Sequence, residues 1–136
     1  MDFMKSLSIA ASGLRTQAGR MRIIAENLAN ANSTAGASGG EPYRRKVPTF
    51  QAKFDRDLEA QVVTLGRVQR DKSSFISRYE PGHPAADGRG YVQYPNVNSL
   101  IETADLKEAQ RSYEANLNVV SATRRMISRT LDLLRV

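Results

Sequence analysis

The sequence predicts a mainly α-helical, elongated protein in which the N- and C-terminal helices form a two-helix coiled coil. Both ends have an apolar or aromatic residue every seven positions, which places a narrow stripe on a helix that a second helix must cover. The segment between them contains glycines, prolines and short β-branched runs, which predict a small irregular lobe with some β structure. We therefore divide the 136 residues into an N-terminal helix (1–31), a middle lobe (32–97) and a C-terminal helix (98–136).

The N-terminal helix is predicted to span residues 3–31, with Asp2 as its N-cap. Its stripe consists of Leu7, Leu14, Met21 and Leu28, with Ala10, Ile24 and Ala31 at the intervening positions. At 1.5 Å per residue, the two helices would be about 43 and 52 Å long. A compact domain of this size has a radius of gyration of only about 14 Å, so the helices predict an elongated molecule. Neighbouring molecules would then complete the burial of the two stripes.

The middle lobe is predicted to contain three short strands, and a proline places part of the first at a sheet edge. The strands are residues 47–54, 62–69 and 73–79, with a short helix over 53–59 as the alternative. Pro81 and Gly82 suit the centre of a type II turn, and a second turn is predicted at 87–90. Residues 91–95 should be extended.

The C-terminal helix has a clear predicted start, because Ser99 and Glu102 match a capping box. Acidic residues are frequent in its first turns and basic residues in its last, as the helix dipole favours. Its stripe consists of Leu106, Tyr113, Val120, Ile127 and Leu134, with Ala109, Asn116, Thr123 and Thr130 between them.

No catalytic, cofactor-binding or metal-binding residue is predicted, and the chain is not expected to be an enzyme. It has no cysteine, and the only histidine, His83, lies in a turn where its ring should pack locally or face solvent. The carboxylates Asp55, Asp57 and Glu59 are interleaved with basic residues, which is typical of a solvated surface. Nothing in the sequence supports an active site.

Charge and hydropathy argue against binding to nucleic acid and against membrane insertion. The net charge is +6 and the pI about 10, but the basic excess is spread along the chain and the only dense cluster is Arg44–Lys46. No apolar run approaches the roughly 20 residues of a membrane span. Serines and Gly13 interrupt the N-terminal region, so it does not resemble a cleaved secretory signal.

Local motifs resemble those of the bacterial flagellar axial proteins of the rod, hook and hook-associated group. Residues 12–14, 27–30 and 32–34 are similar to the N-terminal signature of the whole family. Residues 40–46, 79–84, 90–98 and 108–116 are more specifically similar to its proximal rod proteins. The motif residues that we single out are Asn27, Leu28, Asn30, Tyr43, Arg44, Arg45, Pro81, Gly82, His83, Pro95, Asn96 and Asn98.

This resemblance implies a structural subunit of the rod, which is the drive shaft that crosses the periplasm. Family members leave the cell through the flagellar type III export apparatus without a cleaved signal, and pack their terminal helices into an inner tube. The implied partners are further copies of the chain, other proximal and distal rod proteins and the basal-body adaptor. Another axial protein, and a helical adaptor or export chaperone, are the alternative interpretations.

The middle lobe is expected to form a second interface with neighbouring subunits over residues 41–97. Tyr43, Arg44 and Arg45 follow a flexible loop, so we expect their planar groups to reach carboxylates or carbonyls of an adjacent subunit.

Overall fold

The computed structural model describes residues 2–135, which form two long helices and six short strands. Helix α1 spans Phe3–Ala29 and helix α2 spans Ser99–Leu134. The strands between them are β1 (Lys46–Val47), β2 (Phe50–Asp55), β3 (Ala60–Leu65), β4 (Gln69–Arg70), β5 (Ile76–Tyr79) and β6 (Tyr91–Tyr94). The predicted terminal helices and strand-containing middle are confirmed, whereas the coiled-coil geometry, the elongated form and the three-part division stay predictions.

Helix α1 begins as the sequence predicts. The Asp2 Oδ1 atom accepts hydrogen bonds from the backbone N–H groups of Met4 (3.0 Å) and Lys5 (3.2 Å), which confirms Asp2 as the N-cap. The helix ends at Ala29, two residues earlier than predicted. The Asn30 amide then donates to the Glu26 carbonyl (2.9 Å) and satisfies part of the helix end.

Helix α2 is capped differently from the prediction. The Asn98 Oδ1 atom accepts hydrogen bonds from the backbone N–H groups of Leu100 (3.0 Å) and Ile101 (3.4 Å), so Asn98 is the N-cap and the Ser99 capping box is wrong. The Glu102 side chain does not return to the cap, because it is buried in contact with Arg45 and Asn27. The Glu102 carboxylate has the right spacing for a capping box, but it instead contacts residues that are distant in the sequence.

Three separate two-stranded antiparallel sheets form the middle segment, pairing β1 with β4, β2 with β3, and β5 with β6. Pro48 separates β1 from β2, in agreement with its missing N–H group. Residues 53–55 belong to β2, and a tight turn follows in which Glu59 has a φ of 48°. The alternative of a short helix over 53–59 is therefore wrong.

Both predicted turns are present, but the first is of a different type. The backbone N–H of His83 donates to the Glu80 carbonyl (3.0 Å), so Pro81 and Gly82 occupy the central positions. Gly82 does not have the positive φ that a type II turn requires, and that part of the prediction is wrong. Gly90 closes the second turn with a φ of 85°, where a side chain would be strained.

The described chain divides into two compact units, and each terminal helix contributes to both. The first unit comprises residues 2–21, 49–66 and 107–135, and its buried apolar residues include Ala10, Val62 and Ala109. The second unit comprises residues 22–48 and 67–106, and its apolar core contains Ala85, Val92 and Tyr94. Neither helix has a stretch long and apolar enough to cross a membrane.

Candidate interaction site

The second unit contains an ion pair whose carboxylate is buried. The Glu102 side chain, from the first turn of α2, is only 1% exposed, and its Oε1 accepts a hydrogen bond from the Arg45 Nε. The same guanidinium has its Nη1 3.5 Å from Asp71 Oδ2 and its Nη2 3.8 Å from Asp105 Oδ2. Arg45 therefore contacts three carboxylates, and Glu102, which is the most buried of the three, has the shortest contact.

Asn27, near the end of α1, connects this ion pair to the chain after the first loop. Its Nδ2 donates to Glu102 Oε2 (3.2 Å) and to the Lys46 carbonyl (2.8 Å). Its Oδ1 accepts from the Lys46 N–H (3.0 Å) and from the Tyr43 hydroxyl (2.8 Å). The fully buried amide thus has a partner for each of its polar atoms, as burial requires.

Asn96 completes the cluster from the segment before α2. Its Oδ1 accepts from the Arg45 backbone N–H (2.8 Å), and its Nδ2 donates to the carbonyls of Asp71 (3.1 Å) and Ser73 (3.2 Å). We call this cluster the polar hub, and its members are Asn27, Tyr43, Arg45, Asp71, Asn96 and Glu102. Four of the six are motif residues singled out from the sequence.

The ionisation of the hub follows from its contacts. Burial, with the charges of Glu26 and Glu102, raises the pKa of Tyr43 from 10.0 to about 12. Burial works against the charged form of Arg45, but Glu102 and Asp71 outweigh it and raise the pKa of Arg45. Hydrogen bonds from the backbone and side chain of Ser73, aided by Arg45, lower the pKa of Asp71. The arginine and the aspartate are thus charged and the tyrosine neutral near pH 7.

The expectation that Tyr43, Arg44 and Arg45 are free to reach an adjacent subunit is wrong. Tyr43 and Arg45 belong to the polar hub. The Arg44 guanidinium lies 4.2 Å from the centre of the Phe75 ring, and its Nη1 donates to the carbonyls of Asp71 (2.9 Å) and Ser73 (3.1 Å). All three side chains therefore make their contacts within their own chain.

The remaining motif residues fix backbone geometry elsewhere in the second unit. Pro81, Gly82 and His83 form the turn already described, and the His83 Nδ1 accepts from the Ala85 N–H (3.0 Å), which confirms the predicted local role of the ring. Pro95 is fully buried after β6, and Leu28 is half-buried on α1. Among the residues that the structure describes, no group of histidine or acidic side chains could hold a metal ion.

In the first unit, the two helices approach closely at a glycine. A Cβ atom at Gly13 would lie 2.9 Å from the Nδ2 and Oδ1 atoms of Asn116 on α2. A second, more exposed contact is the ion pair between Arg20 and Glu108, whose atoms are 3.4 Å apart. The opposing β2–β3 hairpin is attached to α1 through the Thr16 hydroxyl, which donates to the Val63 carbonyl (3.0 Å).

The predicted stripes are only partly covered by the chain itself. Their intervening residues Ala10, Ala109 and Thr123 are buried. The stripe residues Leu7, Leu14, Met21, Leu28, Leu106, Tyr113, Val120 and Ile127 are half-buried, and Leu134 is exposed.

A further apolar stripe on α2 was missed by the sequence analysis. It consists of Val119, Met126 and Leu133, which are seven residues apart and exposed, Leu133 by 83%. Each precedes a residue of the predicted stripe, so this outer stripe is rotated by about 100° around the helix. The seven-residue spacing of these three residues is the signal from which the sequence could have predicted this stripe. Helix α2 therefore has two apolar stripes, and the residues of the outer one are 44–83% exposed in the described chain.

Two family models match the chain at its ends. The model described as flagella basal body rod protein matches residues 7–37, and the model described as flagellar basal body rod FlgEFG protein C-terminal matches residues 89–133. The flagellar basal-body rod protein FlgC of Agrobacterium fabrum (strain C58 / ATCC 33970) is 47% identical over 99% of this chain and 98% of its own length. The proteins of the same name from Aquifex aeolicus (strain VF5) and Bacillus subtilis (strain 168) are 40% and 38% identical, over 97% and 98% of this chain and 97% and 99% of their own lengths.

This chain belongs to the FlgC family of flagellar basal-body rod proteins. The resemblance inferred from the sequence motifs is thereby confirmed. Every carboxylate of the polar hub is engaged by an arginine, an amide or the backbone. The hub is therefore a folding element of this chain, and the exposed apolar side chains of α2 are the better candidates for an assembly surface.

Proposed function

We propose that this chain is a structural subunit of the proximal rod that assembles with copies of itself and with other rod proteins through α1 and α2. The observation that carries the proposal is the outer stripe of Val119, Met126 and Leu133. A helix with one apolar stripe is satisfied by one partner, whereas two stripes about 100° apart suit contact with more than one helix. Leu134, an exposed residue of the first stripe, lies next to Leu133 and continues the apolar surface to the end of α2.

The half-buried residues of the first stripe complete the proposed interface. They are Leu7, Leu14, Met21, Leu28, Leu106, Tyr113, Val120 and Ile127, to which the exposed Leu134 is added. In this proposal the rod transmits torque across the periplasm, and the subunit reaches it through the type III export apparatus without a cleaved signal. Distal rod proteins and the basal-body adaptor are its further partners. An export chaperone is less well supported, because relatives that match nearly the whole chain are named as rod proteins.

The sharpest test uses a residue that the isolated chain leaves uncovered. Leu133→Asp places a charge at a site that is already exposed, so the monomer should fold with unchanged stability. In an assembled rod the same charge would be buried without a partner, at a cost of several kcal/mol. We expect cells that have only this variant to export the subunit but to be non-motile and to lack rods in purified basal bodies.

Ser128→Asp is the matched control, since Ser128 is exposed on the same part of α2 but lies about 160° from Met126 around the helix. It should leave motility unchanged. Normal motility with Leu133→Asp would contradict the proposed interface. Leu14→Asp and Val120→Asp should also abolish assembly, but both residues are half-buried, so circular dichroism of the purified variants must accompany the motility assay.

We also propose that the middle lobe contacts neighbouring subunits through the outer face of the β2–β3 hairpin. Phe50 and Phe54 are about half-exposed there, on a face whose strand residues carry no charge. Phe50 also has the Arg20 guanidinium of α1 at 5.8 Å from its ring centre, so Phe54 is the better position for a test. Phe54→Ser should weaken assembly, whereas Gln61→Ser, at the paired position on β3, should not. Equal motility of the two variants would argue that the hairpin face is not an interface. Replacing all of residues 41–97 would be a poorer test, because it would also remove Arg45 and Asn96 from the polar hub.

A further inference from the structure

Each unit contains a close contact between the two helices. In the second unit Asn27 of α1 contacts Glu102 of α2, and in the first unit Gly13 of α1 contacts Asn116 of α2. The two positions on α1 are 14 residues apart, and so are the two positions on α2. Both contacts therefore belong to the same antiparallel alignment of the helices, with two heptads between them.

The apolar stripes alone do not select this alignment. Residues of similar size recur every seven positions on both helices, so sliding one helix along the other replaces one apolar contact by another of similar energy. A buried carboxylate behaves differently, since in any other alignment it would lose its partners while remaining out of water. Sliding α2 by one heptad would place Ala109 or Pro95 where Glu102 now meets Arg45 and Asn27.

We infer that Arg45 and Glu102 are positioning residues that set the register of α1 against α2. The inferred register is the one in which Gly13 meets Asn116, and that contact provides a readout away from the pair. This inference deepens the proposed function and rests on it in one respect: the selected register fixes which residues of α2 face outwards for assembly.

The test exploits the absence of cysteine from the chain, so that an engineered disulfide reports only its own pair. The native register is reported by Gly13→Cys with Asn116→Cys. Shifts of one heptad in either direction are reported by Gly13→Cys with Ala109→Cys, and by Gly13→Cys with Thr123→Cys. The two shifted reporters also include Asn116→Ala, which makes room for the new side chain at position 13.

Each reporter is oxidised in the purified full-length chain, with and without Arg45→Met plus Glu102→Met. This double substitution replaces the Arg45–Glu102 pair by apolar side chains. It leaves without their cation only Asp71 and Asp105, whose side chains are 29% and 35% exposed, so the helices should remain folded. With the native hub, only the pair at 13 and 116 should cross-link efficiently. With the apolar hub, the shifted pairs should form disulfides to a comparable extent. Cross-linking that stays confined to 13 and 116 would overturn the inference.

Glu108→Gln is the matched control, because it removes the ion pair of Arg20 with a carboxylate that is 69% exposed. It should leave the cross-linking pattern unchanged, and a shift of register would mean that ion pairs in general, not the buried one, set the alignment. Should the double variant lose its helical circular dichroism signal, Glu102→Gln is measured with the same three reporters. Shifted products then support the inference, and an exclusively native product overturns it.

The helix register is measured by disulfide formation in the purified chain, whereas assembly is measured by the motility of cells. Shifted disulfides in the purified chain support the register role whatever happens in cells. Motile cells with the apolar hub would then show that assembly does not depend on this alignment, which counts against the proposed interface and not against the register.

Discussion

The two compact units hold their segments of chain together by different kinds of contact. The second unit joins its segments by the polar hub, in which Asn27 and Glu102 are almost completely buried and every polar atom of Asn27 has a partner. The first unit joins its segments by small residues at a close helix contact and leaves Met126 and Leu133 uncovered. A buried polar network is stable only when each of its polar atoms has a hydrogen-bond partner. An apolar stripe carries no such requirement and can remain exposed in a single chain. The second unit therefore satisfies its polar groups within one chain, whereas the first leaves apolar side chains of α2 exposed.

Hydrogen exchange on the monomer should separate the two units most strongly. Amides of β6, where Val92 and Tyr94 are buried, should exchange at least about a thousandfold more slowly than those of residues 131–134, which have few covering contacts. The measurement is mass-resolved exchange on the purified chain at a concentration where it is monomeric. Equal protection of the end of α2 would remove the basis of the comparison, because that end would then be complete without a partner.

Loss of one arginine should have very different costs in the two units. Arg45→Met leaves the Glu102 carboxylate buried without its cation and should lower the free energy of unfolding by about 3–5 kcal/mol. Arg20→Met leaves Glu108, which is 69% exposed, and should cost less than about 1 kcal/mol. Urea unfolding of both variants provides the comparison. Similar losses would show that burial of the carboxylate does not govern the contribution of the pair.

A smaller effect is expected at the close helix contact of the first unit. Gly13→Ala gains up to about 1 kcal/mol of helix propensity, but the new Cβ would displace Asn116 from its hydrogen bond to the Ser112 carbonyl. The clash should cost about 1–3 kcal/mol, so the net loss is about 1 kcal/mol. Adding Asn116→Ala should restore stability. Gly19→Ala, which meets only the flexible end of Leu65, is the control and should be neutral or stabilising.

The smallest effect depends on pH and tests the hub through Tyr43. Its pKa is raised from 10.0 to about 12 in the folded chain, so its stabilising contribution is complete below pH 10 and is lost as pH rises towards 12. Tyr43→Phe should cost about 1 kcal/mol at neutral pH, through the lost hydrogen bond to Asn27. The difference from the native chain should shrink between about pH 10 and 12 in unfolding experiments. A constant difference would exclude ionisation of Tyr43 as the cause, and Tyr79→Phe is the control for an exposed tyrosine.

Local sequence signals predicted the helices well, because repeats of seven residues and the Asp2 cap act over one or two turns. The polar hub could not be predicted in this way. Arg45 and Glu102 are 57 positions apart, and Asn27 and Lys46 are 19 apart, so nothing in either local sequence indicates its partner. Glu102 was even assigned to a capping box, since its spacing from Ser99 suits that motif equally well. Family resemblance singled out Asn27, Tyr43, Arg45 and Asn96 without revealing that they meet.

The burial of Glu102 also restricts how this sequence can diverge. A lineage that replaced Arg45 alone would pass through a chain with an uncompensated buried carboxylate, and one that replaced Glu102 alone would leave the arginine beside two weaker, more exposed partners. Positions 45 and 102 are therefore expected to change together or not at all among descendants of this gene. The exposed positions 119, 126 and 133 are not coupled in this way to another position of the chain. Their substitutions should instead follow those of the partner surface that they contact.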